Sequence, residues 1–117
     1  MINKLNDNQI FVFGSNLNGF HSGGAAKQAL QEFGAVFGQG EGLQGKSYAF
    51  PTLDEDMNKI DTIRLLQYVA NLYKCARENP EKEFILTEVG TGIAGYDYEY
   101  MKSLFVQLPK NITSLFK

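Results

Sequence analysis

Short apolar runs and helical stripes alternate along the chain. Gln9 to Phe13 (Q-I-F-V-F) is a β-branched and aromatic run that stops at Gly14, which predicts a buried strand. Gly24 to Phe33 (G-A-A-K-Q-A-L-Q-E-F) is rich in helix formers and places Ala26, Ala29, Leu30 and Phe33 on one face, with Gly34 as its stop. Ser47 to Phe50 predicts a second strand, because Pro51 offers no ladder donor and biases Phe50 toward extended geometry. From Asp61 to Asn79, residues Ile63, Leu66, Val69, Ala70, Tyr73 and Ala76 recur at helical spacing, and Asn79-Pro80 closes the helix. Glu83 to Val89 predicts a third strand. Asp97 is the natural N-cap of a helix running to about Leu108, with Met101, Leu104, Phe105 and Leu108 facing in, and Ile112 to Phe116 completes the pattern as a last short strand.

Strands alternating with helices predict an α/β domain: a three-layer α/β/α arrangement around a mainly parallel sheet, filling residues 1–117 as one domain. In such sheets ligands bind beyond the carboxyl ends of the strands, where strand order reverses. The net charge of -2 and pI near 5.3 lack the basic footprint of a nucleic-acid binder, although a small, locally cradled anion is compatible with them. No apolar run approaches the roughly 20 residues of a membrane span, and the polar N-terminus carries no signal peptide. The expectation is a soluble, cytoplasmic protein with no membrane partner. A lone Cys75 and a lone His21 exclude an internal disulfide and a four-ligand zinc site of the Cys/His type, and no metal or cofactor is expected. Asp54-Glu55-Asp56, the one acidic run, more simply complements a helix dipole than binds Mg²⁺.

The 12 glycines are clustered: nine lie between Gly14 and Gly45, and three between Gly90 and Gly95. Gly40 to Ser47 (G-E-G-L-Q-G-K-S) satisfies the phosphate-loop pattern G-x-x-x-x-G-K-[ST]. That loop works only when a helix begins at the Lys-Ser, and here Tyr48-Ala49-Phe50-Pro51 follows, an extended segment. Gly90-Thr91-Gly92-Ile93-Ala94-Gly95 matches G-x-G-x-x-G between a strand and a helix, the right setting for a pyrophosphate cradle. A nicotinamide dehydrogenase would need an acidic residue about 20 residues further on. Met101 to Lys117 contains neither Asp nor Glu. Gly14-Ser15-Asn16 ends the first strand, and Gly23-Gly24-Ala25 opens the first helix, whose free N–H groups suit an anion. Asn16 can donate and accept toward a sugar hydroxyl, or simply make an Asx-turn.

Taken in order, Gly14-Ser15-Asn16, Gly23-Gly24-Ala25-Ala26 and Gly90-Thr91-Gly92-Ile93-Ala94-Gly95-Tyr96 resemble three elements of macrodomains, which bind ADP-ribose. The chain looks like a compact, macrodomain-like protein of the kind met in bacteria and their phages. The resemblance implies that Asn16 holds the distal ribose, Gly23 and Gly24 one phosphate side, and Thr91, Gly92, Ile93 and Ala94 the diphosphate, with Tyr96 lining the distal-ribose pocket. It departs from the family in lacking the Asp that grips adenine, and the Gly38 to Lys46 loop has no obvious counterpart. The partner it implies is a nucleotide of the ADP-ribose type, free or carried on an ADP-ribosylated macromolecule. The alternative is a non-catalytic regulatory or structural protein that keeps the fold without a competent pocket.

Hydrolysis of an ADP-ribosyl linkage would need a positioned water beside the ribose, and the candidate catalytic residues are Asn16 and His21, with Lys27 and Asp97 less well placed. His21 lies in the loop between two ligand elements with an imidazole suited to proton transfer near neutrality, against the plainer reading of a solvent-exposed loop histidine. Asp97 reads as a helix cap, and Cys75 as a buried small hydrophobe. Glu88, near the end of the third strand, is paired, exposed or functional.

Overall fold

In a computed structural model, which describes residues 3–117, the central strand is β1 (Gln9–Asn16), followed by α1 (Gly24–Glu32), β2 (Gly42–Gln44) and β3 (Ser47–Leu53). The chain continues through α2 (Thr62–Glu78), β4 (Glu83–Leu86), α3 (Tyr98–Leu104) and β5 (Ile112–Ser114). The five strands form one sheet in the order β2-β3-β1-β4-β5. Only β2 runs antiparallel, hairpinned onto β3; β3, β1, β4 and β5 are parallel neighbours.

The near-continuous apolar sequence of β1 follows from its central place. Ile10 and Val12 point into an apolar cluster with residues of α2 and α3, while Phe11 and Phe13 point into a second cluster with Ala26, Ala29 and Phe33 of the α1 segment. A strand buried on both faces has no reason to alternate apolar with polar. Tyr48 and Phe50 of β3 join the first cluster and Ala49 the second, so the same division extends along the sheet.

Several boundaries differ from the sequence reading, each for a physical reason. The second strand runs on through Pro51 to Leu53. Pro51 lies beyond the last β2 partner, Gly42 opposite Ala49, where that side of β3 is an edge and a missing donor interrupts no ladder. The third strand stops at Leu86 rather than Val89, and the Thr87 side chain then bonds the Val12 carbonyl at 2.6 Å. The last helix ends at Leu104, although Met101, Leu104 and Phe105 are buried as expected. In α2 the buried face is Leu65, Val69, Leu72, Tyr73 and Ala76, so the stripe is rotated from the expected one and Ile63 and Leu66 lie exposed. Asp61 and Asp97 cap α2 and α3, accepting from the amides of Arg64 and Tyr100.

This topology fixes where a site belongs. From β1 the chain crosses through α1 to β3 on one side, then through α2 back past β1 to β4 on the other. Strand order therefore reverses at β1, and the loops after β1 and β4 diverge from adjacent strands to leave a crevice at their carboxyl ends. Among the described residues no helix is long and apolar enough to cross a membrane.

Candidate functional site

A cleft of about 540 Å³ opens at that crevice. Its floor is the end of β1, Gly14, Ser15 and Asn16; one wall is the start of α1, Gly23, Gly24 and Ala25; the other is the loop after β4, with Gly90, Thr91, Gly92, Ile93 and Ala94. The two glycine clusters, distant in sequence, touch. A Cβ on Gly14 would lie 3.3 Å from the Gly90 nitrogen, and one on Gly23 would lie 3.1 Å from the tip of the Ile93 side chain.

The α1 wall presents an unblocked helix terminus. Gly23 is the N-cap in extended geometry, no side chain caps the helix, and its first turn carries no acidic residue. The first-turn N–H groups, together with the positive end of the helix dipole, therefore border the cleft. Gly24 has φ +57°, a conformation that gives this entry its direction and that L side chains rarely adopt.

The opposing loop is stiffened from within. Tyr96 N–H donates to the Gly90 carbonyl at 2.9 Å, and Gly95 N–H donates to that of Gly92 at 3.0 Å. Gly92 itself stands in open space, with nothing within 4 Å of where a Cβ would sit, so its backbone is freely approachable from the cleft. Gly95 and Tyr96 do not line the cleft. The Tyr96 hydroxyl accepts from Ile60 N–H and donates to the Thr52 carbonyl, each at 2.7 Å, which ties the loop to the end of β3 and to the segment after it. Burial pushes its phenol above the usual tyrosine range. Tyr96 thus holds the wall in place from behind.

The two candidate catalytic residues have other partners. The Asn16 carboxamide accepts from Phe20 N–H at 3.0 Å and donates to the Phe20 carbonyl at 3.1 Å, so its polar atoms are engaged in organising the β1–α1 loop, although it borders the cleft. His21 is not a solvent-exposed loop residue: it is 1% exposed, edge-on to the Phe13 ring, with Nε2 3.0 Å from the Gln39 carbonyl, and it does not line the cleft. Glu88 emerges as the only ionisable side chain among the described residues that line the cleft, exposed just past the end of β4.

The phosphate-loop match at Gly40 to Ser47 builds the β2–β3 hairpin, and no residue from 34 to 47 borders the cleft. This segment instead buttresses the β1–α1 loop from outside. Ser15 Oγ donates to the Gly40 carbonyl and Gly38 N–H to that of Gly19, and Gly40 packs so close that a Cβ would sit 2.4 Å from the Asn16 carbonyl oxygen. Asp54 accepts from the amides of Asp56 and Asn58, so the acidic run closes its own turn ahead of α2. Among the described residues no group of three or more His, Cys, Asp or Glu is arranged to hold a metal ion. Cys75 is half-buried against the core, and burial, then Glu78, raises its thiol above the ordinary range, which disfavours a nucleophilic thiolate.

Sequence reasoning missed Phe20, Ser22, Thr52, Leu53, Met57 and Thr87 as cleft residues. Thr52 and Leu53 were hidden by reading Pro51 as the end of the strand. Phe20 and Ser22 had a signal, since both stand inside the first glycine cluster. No family model matches the chain, and no curated protein or solved structure matches it.

Proposed function

We propose that the chain is a three-layer, macrodomain-like module, cytoplasmic in setting, whose cleft binds ADP-ribose or a related NAD-derived nucleotide diphosphate. The observation that carries this reading is the convergence of two glycine elements on one crevice, one offering an uncapped helix N-terminus and the other an approachable backbone at Gly92. Backbone N–H groups from such termini and loops hold phosphates without a cation. That mode suits a cleft whose lining holds no Lys or Arg among the described residues. Gly23, Gly24 and Ala25 would face one phosphate, and Thr91, Gly92, Ile93 and Ala94 the other.

For catalysis the balance favours binding without turnover. Asn16 is hydrogen-bonded to Phe20 through both polar atoms and His21 is buried away from the cleft, so neither is poised to activate water. Any general base would have to be Glu88. The same observations support the non-catalytic part of the alternative, a regulatory or structural protein that keeps the fold without a competent pocket.

Calorimetric titration with ADP-ribose, alongside ADP, NAD and ATP, should give saturable heat with ADP-ribose, and release of ADP-ribose from an ADP-ribosyl ester should stay at the background rate. Absence of both heat and thermal shift with all four nucleotides would overturn the reading. Appreciable turnover lost in Glu88→Gln would replace the binding module with an enzyme.

A further inference from the structure

A large aromatic ring of the cleft wall, and a second ring stacked on it from outside the cleft, stand exposed where burial would be expected. Phe20 is 48% exposed and Phe37 60% exposed, and their rings stack with centroids 5.8 Å apart and planes 25° from parallel. Phe20 belongs to the cleft wall; Phe37 comes from the buttressing segment and backs it.

The exposed pair is nevertheless held firmly. The Phe20 backbone is gripped on both sides by the Asn16 carboxamide, and its neighbour Gly19 is bonded to Gly38 and packed so tightly that a Cβ would fall 2.3 Å from the Gly38 carbonyl carbon. A loop ordered this closely around a ring left half in water is preorganised for contact rather than for the core. Of the parts of a nucleotide, phosphate, sugar and base, only the base offers a flat π face to match it.

We propose that Phe20, backed by Phe37, is a stacking platform for the base of the nucleotide held in the cleft, so that the base is recognised by its face rather than by its edge. This rests on the nucleotide reading of the cleft given above. It assigns Asn16 a positioning role, setting the platform through the Phe20 backbone. It also makes the site tolerant of different bases, because every base has a face to stack.

The chain has no tryptophan, so Phe20→Trp places a single indole reporter at the proposed contact. Titrated with ADP-ribose, ADP and GDP, its fluorescence should change with all three, with ADP and GDP affinities within about threefold of each other, whereas inorganic pyrophosphate should leave it unchanged. In calorimetry Phe20→Ala, checked for folding by its melting curve, should bind ADP-ribose about tenfold or more weakly than the natural chain, in the range expected for losing one stacked base. Equal affinity of Phe20→Ala and the natural chain for ADP-ribose would overturn the platform while leaving the cleft reading intact. So would a fluorescence response to pyrophosphate, or a preference of more than about a hundredfold between ADP and GDP. No binding of any nucleotide to the natural chain would remove both.

Discussion

Single residues divide into those that shape the cleft and those that would touch its contents, and the glycines separate the two. Gly19 has φ +72° and no room for a Cβ against Gly38, so Gly19→Ala combines a left-handed backbone penalty with a backbone clash. It should destabilise the fold by at least about 2 kcal/mol in denaturant unfolding. Gly92 has neither constraint: it stands in open space without a positive φ. Gly92→Ala should melt within a degree or two of the natural chain, and Gly92→Glu should also fold yet lose ADP-ribose binding by repulsion in calorimetry. A Gly92→Glu variant with unchanged affinity would show that the loop does not approach the phosphates. The glycines of the cleft were legible in the sequence, because Gly14 and Gly23 stand where a Cβ would crowd the facing loop and Gly24 and Gly90 have positive φ, requirements that clustering exposes. The roles of Asn16, His21 and Tyr96 were not, since a polar side chain in a loop turns inward or outward according to partners it finds only in the fold, here Phe20, Gln39, and Ile60 with Thr52.

At the scale of elements, hydrogen bonds between strands carry a pH dependence. Glu83 of β4 accepts from the Gln9 amide of β1 at 2.9 Å and the Thr113 hydroxyl of β5 at 2.8 Å, and these two bonds hold its carboxyl below the usual glutamate range. A depressed carboxyl contributes stability that is fully present above the unfolded value, near 4.3, and is lost as pH falls through the lower folded value. Urea unfolding carried from neutral pH into acid should therefore show a shallower acid-side loss for Glu83→Gln, with a difference under about 1 kcal/mol because the group is largely solvated. An identical acid limb in both proteins would contradict this. Elements themselves were legible where periodicity or a chemical stop was strong, as at β1, α1 and the capped starts of α2 and α3. The strand β2 was not, because a three-residue strand that begins on one glycine and is followed by another has no alternation to read and exists only through pairing with β3. The face of α2 was misread for a related reason: its sequence carries two overlapping apolar stripes, and packing on β3 and α3 chooses Leu65, Val69 and Leu72 over Ile63 and Leu66.

For the whole molecule, the reversal of strand order at β1 decides where chemistry can reside. Gly14 and Gly90 meet because β1 and β4 are adjacent while their following loops leave in different directions, and the Gly34 to Lys46 segment locks one of those loops from outside. The phosphate-loop pattern in that segment therefore describes a brace, and the quieter pair of glycine clusters lines the cleft. The most direct test is a crystal structure of the chain grown with ADP-ribose. The account predicts diphosphate oxygens within hydrogen-bond distance of backbone N–H groups at residues 23 to 25 and 91 to 94. A nucleotide seated on the Gly40 to Ser47 hairpin, or anywhere outside the β1–β4 crevice, would contradict it.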